Sequence, residues 1–431
     1  MCKVMLKTAE IPVGHERDSS EPSRWTLRLE GASVAWDARR ASRANVEIAG
    51  CRTSRILRQG FSNQCELRAI SSTPAARVDL EGYMLLPGLV NAHDHLEFNL
   101  FPRLGRGPYS NAVEWARDIY HPDLSPLREH LSVPKSLRLW WGGLKNLLSG
   151  VTSVCHHNPY EEDVFSGHFP VRVVKRFGWT HSLGFGKNIA EDFLRTPAQA
   201  PFILHLGEGT DLPSQDEIFD LDRRGALTSR TVIVHGVGLT AEGHALRRRR
   251  DAALVWCPTS NRFILGKTLD IRDCEPIGKL ALGSDSALSA QGDLLDEINY
   301  AHRMEGAGPH RIYSMVTESA ASVLHLRNGE GTIREGAIAD FVAVRQENAT
   351  PGETLAGTDF TKIELVMVSG KLHLVSPRMA KRWPEELLSD LEMIEVEGTV
   401  RLVRAPVKRM LRETRKCLSE KIRLAGKQLT A

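Results

Sequence analysis

The chain has 431 residues, 56 Lys and Arg against 53 Asp and Glu, and a formal net charge of +3. The charged fraction of 25% and the apolar fraction of 42% are those of an ordinary soluble globular protein, and so slight a positive balance is no argument for a nucleic-acid partner. No apolar run reaches the roughly 18 residues of a membrane span, and the opening "MCKVMLKTAEIPVGHERDSS" lacks the apolar stretch of a signal peptide.

Seven cysteines (Cys2, Cys51, Cys65, Cys155, Cys257, Cys274 and Cys417) are scattered, odd in number and without a CxxC pair. They fit a reduced, cytoplasmic protein rather than a disulfide framework. The length accommodates a barrel of roughly 250 residues with a second domain.

In chain order, residues 1–25 are polar and weakly patterned, a loose leader. "WTLRLEGASVAWD" then alternates as a strand, and "GYMLLPGLV" closes the opening region. Matching β runs with Gly turns recur late, in "GEGTIREGAIADFVAVRQ" and "IELVMVSGKLHLVS". The two ends therefore read as one small β domain, residues 26–85 plus 332–376, with residues 86–331 inserted between them. Within the insertion, helical stretches lead into short apolar strands. "SLRLWWGGLKNLLSG" precedes "VTSVCHHN", "IAEDFLRTPAQA" precedes "PFILHL", "FDLDRRGALTSR" precedes "TVIVHG", and "LTAEGHALRRRRD" precedes "AALVWCP". Such alternation implies a parallel sheet, and continuous apolar strands imply burial on both faces. Residues 377–431 read as a basic helical extension, with "RRRRD" at 247–251 a solvated helix end.

Candidate chemistry sits at the strand ends. In "NAHDH", His93 and His95 stand at i and i+2, so both project from one face of a strand while Asp94 points away. His205 closes "PFILH" with Glu208 three residues on, His235 closes "TVIVH", and Asp285 closes "KLALGSD". Each precedes or joins a Gly-containing loop, the positions that gather at the C-terminal mouth of a (β/α)8 barrel. Three imidazoles and a carboxylate there make a plausible zinc or iron site. Taken singly, His235 equally fits a core histidine and Asp285 a helix cap.

The ordered set "PGLVNAHDH", "HLGE", "VHG", "CPTSN", "GSD" resembles the amidohydrolase superfamily, in its aminohydrolase and chlorohydrolase branch of triazine hydrolases and guanine, cytosine and adenosylhomocysteine deaminases. The likeness runs from about residue 80 to about 345. It implies an α/β fold, a (β/α)8 barrel with a composite β-sandwich from both chain ends. By that resemblance His93, His95, His205 and Asp285 hold one divalent metal, zinc first and iron second. Asp285 also moves the water's proton, His235 hydrogen-bonds that water, and Glu208 handles protons on the substrate. The reaction implied is hydrolysis of a non-peptide C–N bond in a small molecule, above all deamination of an amine-bearing heterocycle. A cyclic-amide hydrolase and a non-catalytic barrel scaffold are the alternatives. Neither nucleic acid nor membrane is an expected partner, and a homo-oligomer is compatible with the chain.

Departures from the family pattern are Glu97, which stands where many relatives have proline and reads as facing solvent, a short stretch before His205 that implies a trimmed barrel unit, and the absence of a convincing carboxylated lysine. Lys175 and Lys187 come nearest and read as surface residues. Around the site, Arg103, Tyr109, His157 and Asn261 are substrate-contact candidates, and Arg106, Trp115, His156 and Ser260 are weaker ones. Arg262 reads as a surface arginine.

Overall fold

The computed structural model describes residues 26–58, 76–185, 188–274, 277–347, 349–418 and 422–430. The leader, Cys2, Cys65 and Lys187 lie outside the described residues.

Eight short parallel strands occupy the middle of the chain. Leu89–Asp94, Val151–His156 and Arg172–Val173 form one sheet. Gly178–Ser182, Phe202–Leu206, Thr231–His235, Ala253–Trp256 and Leu280–Leu282 form another in chain order. Most of these strands are buried along their whole length, which is why they read as unbroken apolar runs rather than alternating ones. Helices Lys135–Leu148, Ile189–Arg195 and Ala241–Arg249 lie where the pattern placed them, whereas Leu212–Arg223 begins seven residues before the stretch read as helical, 219–230, and ends within it. Between Arg172–Val173 and Gly178–Ser182 there is no helix, only the irregular stretch 174–177. This is the short unit before His205.

The first and last of the eight meet. Asp94 and Asp285 form an isolated parallel bridge, and the Asp285 N–H donates to the His93 carbonyl at 3.0 Å. Gly283 permits this approach, since a Cβ there would lie 2.7 Å from that of His93.

Both chain ends enter one twelve-stranded sheet. Tyr83–Pro87 from the N-terminal side pairs antiparallel with Phe341–Arg345 from the C-terminal side, which is the junction the two sets of β runs required. The sheet continues past residue 376. Glu392–Val396, Thr399–Val403, Arg423–Leu424 and Lys427–Thr430 all join it. The expected helical extension over 377–431 is thus corrected, because among the described residues there only Val407–Arg415 forms a helix of more than one turn. Its strands do not show as alternating runs in the sequence, since Met393 is exposed and Arg401 is buried, the reverse of what an apolar-in, polar-out pattern places there. The run at 247–250 is not a free basic face either. Arg247 is buried and Arg250 pairs with Asp222 at 2.7 Å.

The Val407–Arg415 helix docks on Lys135–Leu148, where the fully buried Trp141 donates its indole N–H to Thr414 Oγ1 at 2.8 Å. Trp141→Ala is expected to cost about 3–5 kcal/mol in urea unfolding. A loss below about 1 kcal/mol would mean that the C-terminal helix does not pack there.

Candidate metal and hydrolytic site

Four ligand atoms converge at the strand ends. His205 Nε2 lies 3.3 Å from His93 Nε2 and 3.4 Å from His95 Nε2. Asp285 Oδ1 lies 3.7 Å from the first and 3.8 Å from the second. All four residues are buried. A tetrahedral ion with bonds of about 2.0–2.1 Å requires ligand atoms about 3.4 Å apart, so the donor set fits a divalent metal.

Hydrogen bonds fix which nitrogen is bare. His157 Nε2–H donates to the Thr180 carbonyl at 3.0 Å. Its Nδ1 therefore accepts from His93 Nδ1–H at 3.3 Å, leaving His93 Nε2 with a free lone pair. His205 Nδ1–H donates to the His181 carbonyl at 2.7 Å, with the same result. Asp285 Oδ2 accepts from Ser260 Oγ at 2.6 Å and Ser289 Oγ at 3.1 Å, which turns Oδ1 toward the imidazoles.

Burial pushes His93, His95 and His205 below the usual histidine range, so all three are neutral and able to ligate near pH 7. For Asp285 burial acts upward, but the surrounding imidazoles of His93, His235 and His95 outweigh it and hold the carboxyl well below its ordinary value.

His235 donates Nδ1–H to Asn261 Oδ1 at 2.7 Å. Its buried Nε2 has no hydrogen-bond partner among the described residues and faces Glu208 Oε1 at 3.5 Å. A buried acceptor left bare beside the ligand cluster is the arrangement a reacting water would satisfy. Glu208 is pushed up to about 7, chiefly by burial, with Asp285 and Glu217 adding to the rise against the pull of His235. His235 and Asp285 both have left-handed backbones, φ 73° and 50°. Non-glycine residues rarely hold that conformation, and it is enriched at functional sites.

The segment after the first ligands covers these strand ends. Leu104 N–H donates to Leu288 O, Tyr109 N–H to Ile264 O and Ala112 N–H to Glu208 O, at 2.7–2.9 Å. Within it, Arg103 is exposed and stacks on Phe263, with 4.5 Å to the ring centroid. The Tyr109 hydroxyl bonds Asp118 and accepts from Arg106 N–H. Arg262 is tied to Glu305 at 2.8 Å, as a surface arginine should be.

Two substrate-contact expectations are corrected. His157 is fully buried with both ring nitrogens engaged, so it orients His93. Asn261 is also buried and spends its amide on His235 and Thr268. Glu97 does not face solvent. It is buried, takes a hydrogen bond from Asn158 Nδ2 at 2.8 Å and lies 3.5 Å from His156 Nε2. Lys175 is exposed and pairs with Glu162 at 2.6 Å.

Sequence reasoning missed His181, whose exposed ring lies 4.7 Å from that of His205, centroid to centroid. It sits near the end of "GWTHS", and a strand without an apolar run gave no cue. Ser289 and Asn158 had no signal at all, being polar residues in loops.

Residues 200–373 match the Amidohydrolase family. A 5-methylthioadenosine/S-adenosylhomocysteine deaminase of Thermococcus sibiricus is 23% identical over 336 residues, covering 62% of this chain and 75% of that protein. The enzyme of the same name from Saccharophagus degradans is 24% identical over 330 residues, covering 63% and 73%. Among solved structures, atrazine chlorohydrolase TrzN from Arthrobacter aurescens TC1 complexed with zinc superposes with a TM-score of 0.67 at 16% identity, over 91% of this chain and 99% of its own. An adenosine deaminase from Xanthomonas campestris with bound zinc gives 0.63 at 17%, over 91% and 97%. These two likenesses are of fold. The stretch that matches the Amidohydrolase family, residues 200–373, carries His205, Glu208, His235 and Asp285.

Proposed function

We propose that this protein is a metal-dependent hydrolase that deaminates an amine-bearing heterocycle, with adenine nucleosides as the first class to test. The observation that carries the reading is the convergence of His93, His95 and His205 Nε2 with Asp285 Oδ1, beside a bare His235 Nε2 and a Glu208 that titrates near neutrality. The relatives named as 5-methylthioadenosine/S-adenosylhomocysteine deaminases support the substrate class. On this reading the eight parallel strands close as a (β/α)8 barrel. The sheet from both chain ends folds as a composite β-sandwich made of 26–85 and 332–376 and extended by the strands beyond 391.

One divalent ion, zinc before iron, would be held by His93, His95, His205 and Asp285. It would supply a water whose pKa is lowered toward about 7. The chain's own groups do the rest. Asp285 Oδ1 takes the proton lost by the attacking water, and its Oδ2 stays anchored on Ser260 and Ser289. His235 Nε2 accepts a hydrogen bond from that water and aims it, held in its tautomer by Asn261. Glu208, protonated at rest, donates to the ring nitrogen beside the amine-bearing carbon and makes that carbon the better electrophile. Asp285 then returns its proton to the amine, which leaves as ammonia, while the ring keeps the water's oxygen as a carbonyl and the second water proton passes to Glu208, restoring its protonated form. Arg103 and Tyr109, on the segment over the mouth, are the proposed substrate contacts, and His181 joins them. No helix of the described residues is long and apolar enough to cross a membrane.

Elemental analysis is expected to find about one zinc or iron per chain, lost on combining His93→Ala with His95→Ala. No metal after reconstitution would overturn the reading. Ammonia release is expected from 5′-methylthioadenosine, adenosine or a related aminopurine. Ring opening of a hydantoin with no ammonia from any amine would favour the cyclic-amide alternative.

A pH dependence follows from Glu208. Its proton is present below about pH 7 and lost above it, so kcat/KM is expected to fall as pH rises through that value. Glu208→Gln should lower kcat about 100–10,000-fold, keep the metal, and remove that limb from any residual activity. Metal loss in this variant would make Glu208 a ligand instead.

A further inference from the structure

The metal ligands lie on two sides of a weak seam. His93 and His95 end the first parallel strand, and Asp285 follows the last, Leu280–Leu282, which is only three residues long. Where other neighbours in these sheets share a ladder, these two strand ends share a single bridge and the Asp285 N–H to His93 C=O bond. Behind them lies a layer of polar side chains with almost no access to solvent: Asn91, Asp94, Asn99, Lys145, Asn146 and Ser284.

Lys145 is the hub of that layer. Its ammonium has three protons, and three acceptors from three segments meet it: Asp94 Oδ2 at 2.9 Å, Asn99 Oδ1 at 3.0 Å and Ser284 Oγ at 2.9 Å. Asp94 is the residue between the two histidines, on the opposite face of the strand. Ser284 directly precedes Asp285. Asp94 also accepts from Asn146 Nδ2 at 2.7 Å, Asn99 Nδ2 at 2.8 Å and Ser284 Oγ at 3.2 Å. Asn91 crosses the seam by donating to Ser284 Oγ at 2.8 Å and accepting Ser284 N–H at 3.1 Å. The helix that carries Lys145 and Asn146 is seated close enough to reach because Gly142 has no side chain. A Cβ there would lie 2.2 Å from the Leu96 carbonyl oxygen.

We infer that the buried Lys145–Asp94 pair is a positioning device for the metal site, setting the separation between the His93/His95 side and the Asp285 side. The inference rests on the hydrolase reading above. Any tilt of Asp94 swings both neighbouring imidazoles, and any shift of Ser284 carries Asp285 with it. Without the ammonium, Asp94 is left as a buried carboxylate lacking its counter-charge, and the seam loses a group that bonds both of its sides and Asn99. Among the described residues none of the six side chains hydrogen-bonds a ligand atom, so their positioning effect passes through the backbone at residues 93–95 and 284–285, while the Asp94 charge also acts on His93 through space.

The test is metal affinity by chelator competition, with the visible spectrum of the cobalt(II) form, on full-length wild type, Lys145→Met, Asp94→Asn, the double variant and Ser284→Ala. Lys145→Met and Asp94→Asn are each expected to weaken metal binding about 10–100-fold and to change the cobalt bands, although every ligand is still present. The double variant should lose less than the product of the two single losses, because both remove one interaction. Circular dichroism and melting of the metal-free proteins report folding separately. If Lys145→Met does not fold, Ser284→Ala carries the test, removing one acceptor of the ammonium and leaving the charge pair. Variants that fold and keep wild-type affinity and bands would overturn the positioning role and leave the hydrolase reading standing. Wild type that binds no metal would defeat that reading first.

Discussion

The bond from Asp285 N–H to His93 C=O joins the first parallel strand to the last. The donor set exists only because those strand ends meet. His93 and His95 come from one end of the inserted region and Asp285 from the other, nearly 200 residues away. His205 enters from the middle of the second sheet. Gly283 and Gly142 are both absent side chains that let backbone approach, one beside His93 and the other beside Leu96. A methyl group at either place would push the two halves of the site apart.

Around that junction, hydrogen bonding selects a chemical state for three of the rings. Thr180 through His157, and the His181 carbonyl, hold His93 and His205 with Nε2 bare. Asn261 does the same for His235. Burial keeps the rings neutral while the cluster of imidazoles keeps Asp285 ionised. Glu208 goes the other way, since burial favours its proton. The two carboxyl groups are thus pushed toward opposite states.

The β material from both chain ends does more than close the chain. The last hairpin returns to the site's flank. Ala425 N–H donates to the Asn99 carbonyl at 2.9 Å, and Lys427 bonds Asp293 at 2.8 Å and also Asp296 at the start of the Leu294–Arg303 helix. One end of that hairpin contact follows His95 and the other follows Asp285. The chain's C-terminal strands are therefore continuous with the elements that carry the ligands, not an appendage to them.

The sequence by itself determined the residue types and their order: an HxH at a strand end, HxxE, a closing histidine, a closing aspartate, and helix–strand alternation between two stretches of β. These signals are local, a period of two in a strand or an apolar run of five, so they survive without any three-dimensional knowledge. Tertiary structure decided what depends on distant partners. His157 and Asn261 look like substrate contacts in the sequence and are second partners of His93 and His235 in space. Glu97 is buried rather than solvated, and Arg247 is buried within a run that reads as surface. The terminal strands over 392–430 were invisible because their alternation is weak and their pairing partners are supplied by the rest of the sheet. Lys145 and Asp94 are the clearest case. A lysine in an apolar helix and an aspartate between two histidines carry no mutual signal at a separation of about 50 residues. Only the packing of that helix beneath the first strand brings their charges together out of water, where each needs the other.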